Sequence, residues 1–212
     1  MHLNLDNRTV FITGGSRGIG LACARGFLAE GARVAIVGRS GASIEQARVA
    51  LGQPGLCGVA ADLSQPGVAA GVVAQVQAAL GPIDVLVNSA GAAQRTPVAE
   101  LTAAHWAAAM QAKFFTTIHA LQAVLPGMAA RGRGAVVNIV GAGGKMASPI
   151  HLPGGSANAA LMLASAGLAN AYGRQGVRVN AVNPGLVATT RMQEGLAAEA
   201  RASGEPIEVV RC

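Results

Sequence analysis

Charge is scarce in this sequence. Only 12% of its residues are Asp, Glu, Lys or Arg, so few side chains are free for ionic surfaces. Aromatic rings are scarcer still, with four Phe, one Trp and one Tyr. The formal charge of +6 comes from basic residues scattered singly. Arg25, Arg33, Arg39, Arg48, Arg131 and Arg174 form no run and alternate with no stacking rings, so a nucleic-acid partner is not expected. The three cysteines, Cys23, Cys57 and Cys212, are odd in number and far apart. No CxxC or Cys/His spacing is present, which excludes a disulfide framework and a metal site and points to a reducing compartment. No apolar run reaches the ~20 residues a membrane span needs without Gly, Pro or charge in it. The opening MHLNLDNRTVFITGG lacks a signal layout, so a cytoplasmic protein away from membranes is expected.

What is abundant is apolar residues, at 51%, and glycine, with 29 in 212 residues, roughly twice the usual ~7%. High apolar content with low charge argues against disorder. Short β-branched runs alternate with longer Ala/Leu-rich stretches. Strands are predicted at Thr9–Thr13, Arg33–Val37, Leu56–Ala60, Ile83–Val87, Gly134–Val140 and Val177–Ala181. Helices are predicted at Ile19–Glu30, with a stripe of Ile19, Cys23 and Phe27, and at Ser43–Leu51, Gln65–Leu80, Ala103–Met128 and Ser156–Tyr172. Gly31, Gly52, Gly81 and Gly173 are candidate left-handed caps. Apolar strands alternating with helices predict an α/β fold: a doubly wound parallel sheet (Rossmann fold) in three α/β/α layers. No linker divides the chain, so residues 1–212 are expected to form a single domain.

After the first strand stands Thr13-Gly14-Gly15-Ser16-Arg17-Gly18-Ile19-Gly20. A pyrophosphate reaches backbone N–H groups and the positive end of a helix only where no side chain intervenes. A Gly-rich stretch alone is weak evidence, but here it lies between a strand and a helix, the context a dinucleotide site requires. The second strand ends in Val37-Gly38-Arg39-Ser40. An acid there would hold the adenosine ribose and favour NAD, and none is present. Arg39 with Arg17 suits a 2′-phosphate, so NADP is expected over NAD. The competing reading is that Arg39 is a solvated strand-end charge.

TGGSRGIG at Thr13–Gly20 resembles the TGxxxGxG turn of the short-chain dehydrogenase/reductase family. Ala61-Asp62-Leu63 resembles that family's adenine-contacting Asp after the third strand, and Asn88-Ser89-Ala90-Gly91 its NNAG motif. Arg178-Val179-Asn180 and Asn183-Pro184-Gly185 resemble its RVN…PG segment, and Thr189 stands where its Thr holds the nicotinamide carboxamide. The resemblance runs from about Thr9 to Met192. It implies cofactor contacts from Gly14, Ser16, Arg17, Gly18, Ile19, Gly20, Asp62, Leu63, Asn88, Ala90, Gly91, Pro184, Gly185 and Thr189. It also implies hydride transfer between the nicotinamide and a small carbonyl or alcohol, with Tyr, Lys, Ser and Asn as the working side chains.

Those four side chains are missing. The one tyrosine, Tyr172, is followed four residues on by Gly176, so no YxxxK exists. Set against the family pattern, Gly154 takes the Tyr position, Asn158 the Lys position and Gly141 the Ser position. Asn158 is retained among the expected cofactor contacts. Lys113 takes the Asn position, seven residues after Trp106 in the long helix. Lys113 is a candidate catalytic cation, or else a snorkelling surface lysine. His151, in Pro149-Ile150-His151-Leu152-Pro153, is a candidate acid near neutral pH, or a surface loop residue. Lys145 and Ser148 are weaker candidates in the same loop, while His105 and His119 read as partly buried or surface positions. The family continues further past Thr189 than this chain does, so six strands are expected, with the seventh missing. Residues 193–212 make an atypical tail, with a short edge strand conceivable at 207–210. The expected function is an NADP(H)-dependent oxidoreductase with a non-standard active site. The alternative is a nucleotide-binding protein without turnover, regulatory or an oligomer partner. The resemblance further implies a homodimer or homotetramer formed through the two long helices.

Overall fold

The computed structural model describes residues 3–91, 94–185 and 187–189, together with 192, 196, 197, 200, 203–206 and 209. Six parallel strands form one sheet: β1 (Thr9–Thr13), β2 (Arg33–Gly38), β3 (Cys57–Ala60), β4 (Val85–Asn88), β5 (Gly134–Ile139) and β6 (Val177–Val182). Their spatial order is β3-β2-β1-β4-β5-β6, so the winding reverses between β1 and β4. Among the described residues there is no seventh strand. The edge strand considered at 207–210 lies outside the described residues apart from Val209.

Consecutive strand residues point to opposite faces, and here both faces are covered. Phe11, Ala35, Val37 and Leu86 pack under α3 (Val68–Leu80) and α5 (Thr116–Ala130), through Val72, Val76, Leu121 and Leu125. Val10, Ile12, Val34 and Ile36 pack under α1 (Gly18–Ala29) and α2 (Gly41–Leu51), through Ala24, Ile44 and Ala47. The doubly wound Rossmann architecture is therefore the observed one. In α1 the deepest positions are Gly20 and Ala24. Cys23 and Phe27 of the expected stripe only flank that cluster.

Three local departures have physical causes. The helix expected at Ala103–Met128 is broken into α4 (Ala103–Ala109), a π-turn at Met110–Phe115, and α5. Apolar periodicity does not distinguish one wide turn from an α-turn, and such turns concentrate at functional sites. The last helix, α6 (Leu152–Gly173), begins four residues early, with Pro153 in its first turn, where its missing N–H costs nothing. Gly173 is the last residue of α6 and not a left-handed cap; positive φ falls instead on Gly176. Gly52 is a left-handed cap, whereas Gly81 has positive φ with an extended ψ.

At the carboxyl ends of the central strands lies a chain of buried side-chain hydrogen bonds. Thr13 Oγ1 donates to Asn88 Oδ1 at 3.3 Å, and Asn88 Nδ2 to Asn138 Oδ1 at 2.9 Å. Asn138 Nδ2 donates to Ser165 Oγ at 2.9 Å, and Ser165 Oγ to the carbonyl of Leu161 at 2.7 Å. Asn138→Ala leaves the Asn88 Nδ2 donor unmet and takes away the bond Ser165 Oγ accepts, while Thr13 and Leu161 still hold their other ends, and an unmet buried polar group costs about 1–3 kcal/mol. Its thermal midpoint is expected to fall by roughly 5 °C, given about 2–4 °C per kcal/mol at this chain length. A midpoint within about one degree of the parent protein's would sink this assignment.

Candidate functional site

The groove opens where the strand order reverses, at the carboxyl ends of β1 and β4, the usual ligand position in such sheets. Gly14 has φ +65°, and a Cβ there would sit 2.8 Å from the Ala90 backbone. A Cβ on Gly20 would sit 2.3 Å from the Gly14 carbonyl oxygen. Strand, turn and α1 are thus drawn together more closely than any side chain permits. No side chain caps α1 and no acid stands in its first turn, so its orphan N–H groups and positive end are left for an anion.

The cavity above this turn measures about 760 Å³. Gly14, Ser16, Arg17, Gly18 and Ile19 form its floor. Arg39 closes one end, beside Ser40 and Ser43, and Asp62 with Leu63 forms a wall there. Ala90, Gly91 and Thr189 also line it, Ala90 against Gly14 and Thr189 beside Gly18. Five expected contacts do not line it. Gly20 lies beneath the turn, and Asn88 is buried, its amide committed to Thr13 and Asn138. Pro184 sits behind, its carbonyl accepting from Ala142 N at 3.0 Å, while Gly185 is exposed and Asn158 is buried in α6.

The loop after β3 is held from the opposite helix by residues that sequence reasoning gave no role. The Gln111 amide donates to the carbonyl of Ser64, and His119 Nδ1 lies 2.9 Å from the Leu63 carbonyl, which can only accept. Within the loop, Ser64 N donates to Asp62 Oδ1 at 3.0 Å. That backbone bond, with the Ser64 side chain and more weakly Arg39, holds the Asp62 carboxyl below its usual range, so it is ionised at neutral pH. His105 is a capping residue: its Nδ1 accepts from Thr102 N at 3.1 Å at the start of α4. Glu and Gln are the usual capping-box partners, which is why histidine gave no signal.

After β5 and at the start of α6, the positions set against the family pattern fall together. Gly141 follows β5, and a Cβ on it would meet Asn158 Nδ2 at 3.0 Å. Gly154 is buried in the first turn of α6. Lys113 lies on the π-turn and points inward, not to solvent: its Nζ donates to the carbonyl of Ile139 at 2.8 Å. His151 is the residue just before α6, half-buried, with Nδ1 enclosed and without a hydrogen-bond partner. Lys145 is exposed, and Ser148 is half-buried, its carbonyl accepting from His151 N. No cluster of three or more His, Cys, Asp or Glu that could hold a metal occurs among the described residues. None of their helices is long and apolar enough to cross a membrane.

A Rossmann sheet with a glycine turn at its switch point defines a dinucleotide-binding class of protein. Residues 8–201 match the short chain dehydrogenase family, and the chain belongs to that family of oxidoreductases. Family members use NAD or NADP, act on small molecules and are commonly oligomeric. Gluconate 5-dehydrogenase of Gluconobacter oxydans (strain 621H) is 33% identical over 198 residues, covering 92% of this chain and 77% of that protein. Inactive 2-(S)-hydroxypropyl-CoM dehydrogenase 2 of Xanthobacter autotrophicus (strain ATCC BAA-1158 / Py2) is 36% identical over 169 residues, covering 80% and 73%. A solved short chain dehydrogenase/reductase-family oxidoreductase from Burkholderia thailandensis superposes with a TM-score of 0.80 at 36% identity, covering 91% and 74%.

Burial pushes the His151 imidazole below its ordinary value of 6.5, and the charges of Arg95 and Lys113 push the same way. Between the depressed value and 6.5 the unfolded chain binds a proton that the folded chain refuses. The stability held by neutral His151 is therefore complete above 6.5 and is lost as pH falls through that window. Denaturant unfolding at pH values from about 7.5 down to about 5 is expected to show this decline, and His151→Gln to flatten it. Parallel pH profiles for the two proteins would remove His151 as the cause.

Proposed function

We propose that the chain is an NADP(H)-dependent oxidoreductase that exchanges hydride with a small carbonyl or alcohol through a non-standard site built on Lys113 and His151. The observation that carries the cofactor preference is the end of β2. Where a carboxylate would grip the ribose hydroxyls, Arg39 and Arg17 line the groove with Ser40 and Ser43. Two guanidinium groups suit a 2′-phosphate, one by a bidentate contact. The turn from Gly14 to Gly20 would take the pyrophosphate, Asp62 and Leu63 the adenine, and Ala90, Gly91 and Thr189 the nicotinamide end. The dinucleotide supplies the hydride chemistry; this chain supplies position and the proton route.

With its pKa lowered, the His151 imidazole is neutral at pH 7, so it stands in the form that takes up a proton, although as a weaker base than a free histidine. The proton route thus suits oxidation of an alcohol, with His151 as base and the Lys113 ammonium stabilising charge that develops on oxygen. This reverses the acid role that the sequence suggested for His151. A second reading, binding without turnover, is favoured by Gly154 and Gly141 standing at the positions of the family's phenol and hydroxyl. A relative whose name declares it inactive gives that reading a precedent.

Trp106, Phe115 and Leu163 are exposed on α4, the π-turn and α6, in support of self-association along the two long helices. Cys23 and Cys57 are free thiols whose pKa values burial raises, in keeping with a reducing cytoplasm. Fluorescence titration is expected to give tighter binding of NADPH than of NADH. Arg39→Ala should weaken NADPH about tenfold, the loss of one charge-assisted contact, and leave NADH nearly unchanged. Equal affinities for the two cofactors would remove the preference. Alcohol oxidation by the loaded protein should collapse in His151→Ala; full turnover in that variant would end its role as base.

A further inference from the structure

In the described sheet β3 is an edge strand, so the loop that follows it is supported by a neighbouring strand on one side alone. On that side Ala61 N donates to the carbonyl of Gly38 at 2.8 Å. Two carbonyls further along turn the other way, towards the π-turn and α5. The Leu63 carbonyl accepts from His119 Nδ1 at 2.9 Å, and the Ser64 carbonyl from the Gln111 amide. A carbonyl cannot donate, so the His119 ring carries its hydrogen on Nδ1. Both donors are themselves held. The Phe115 ring lies over His119 at 6.2 Å between centroids and 31° between planes. Thr116 Oγ1 donates across the π-turn to the Gln111 carbonyl at 3.0 Å. Asp62, Leu63, Ser64, Ala112 and Thr116 line the groove, whereas Gln111 and His119 do not, so the carbonyls they hold are turned out of it.

The geometry points to Gln111 and His119 as positioning residues for recognition of the cofactor's base: through Leu63 and Ser64 they fix the Asp62 carboxylate at the groove wall. The transmission is short. Gln111 holds the Ser64 carbonyl, and Ser64 N donates to Asp62 Oδ1 at 3.0 Å, so the carboxylate is placed by the same residue that the π-turn holds. Ionised, Asp62 is an acceptor only, with lone pairs left over after its bonds to Ser64. It suits a base that presents an amino group and repels one that presents an oxo group in its place. A loop freed from Gln111 and His119 has other conformations open to it, and the base then loses an acceptor held ready. This inference rests on the dinucleotide reading of the groove.

The test compares NADPH with its hypoxanthine analogue, in which an oxo group replaces the amino group of the base. The two carry the same charge, and nicotinamide fluorescence reports the binding of both. The parent protein is expected to prefer NADPH by about tenfold, the scale of one charge-assisted hydrogen bond. His119→Ala should bring that ratio to about threefold or less, the scale of a weakened bond. Gln111→Glu, which keeps the side chain's size and turns its donor into an acceptor, should do the same. His119→Asn, whose amide nitrogen can stand where Nδ1 stood, should recover the parent ratio. A merely structural role would weaken both dinucleotides together and leave the ratio unmoved. A parent without preference, a parent ratio kept in His119→Ala or Gln111→Glu, or His119→Asn no better than His119→Ala would each overturn the inference alone. A parent that binds neither dinucleotide would overturn the dinucleotide reading and this inference with it.

Discussion

Thr13, Asn88, Asn138 and Ser165 carry polar side chains at the least accessible point of the sheet, and the arrangement is tolerable because their donors are spent in one direction. An amide left half-paired in that setting costs more than an apolar residue in its place. The consequence is geometric. The chain ties the ends of β1, β4 and β5 together at the point where the winding reverses, so the crevice there has a set width. Thr13 Oγ1 also accepts from Ala90 N at 3.2 Å, holding Ala90 against the turn where only glycine fits at position 14. At its other end the chain reaches α6 through Ser165, and α6 carries Asn158 and begins next to His151. One buried network thus positions both the floor of the groove and the helix behind the reacting end.

The altered reacting end is not simply a family site with side chains removed. A Cβ on Gly144 would lie 2.5 Å from Met162 Cε and 2.9 Å from Ala159 N. One on Gly155 would lie 2.7 Å from the Gly143 carbonyl oxygen. The segment after β5 therefore meets α6 backbone to backbone, and close packing has taken up part of the space that longer side chains would need. The groups proposed to work there, Lys113 and His151, come from the π-turn and from the residue before α6.

Sequence pattern revealed the layers, the six strands and the turn because each rests on a local rule: buried parallel strands run apolar, and a strand-to-helix phosphate turn excludes side chains. The match to family motifs then placed most of the groove lining. What sequence could not reveal depends on contacts between distant segments. Asn138 sits in an apolar strand and shows its purpose only when Asn88 and Ser165 come beside it, 50 and 27 residues away. Periodicity left the facing of Lys113 open because a π-turn shifts the register by which helix faces are counted. The tie between the segment after β4 and the segment before α6 carried no motif either, since it is a backbone pair, Thr96 N to the Ile150 carbonyl.

The same view changes what the net charge means. Scattered along the sequence, the basic residues argued against a nucleic-acid partner, and only Arg39 with Arg17 suggested a ligand, a 2′-phosphate. Folded, Arg17 and Arg39 both line the one groove. The lining also includes Ile19, Val37, Leu63 and Ala112. Guanidinium groups beside an apolar lining suit a ligand that joins negative charge to flat rings, the dinucleotide chemistry proposed above. In water each exposed charge is worth little, but in a low-dielectric cleft the field is concentrated where a ligand enters. A modest excess of basic residues, ineffective when spread over a surface, gains local weight once the fold brings two of them, Arg17 and Arg39, to line one cavity.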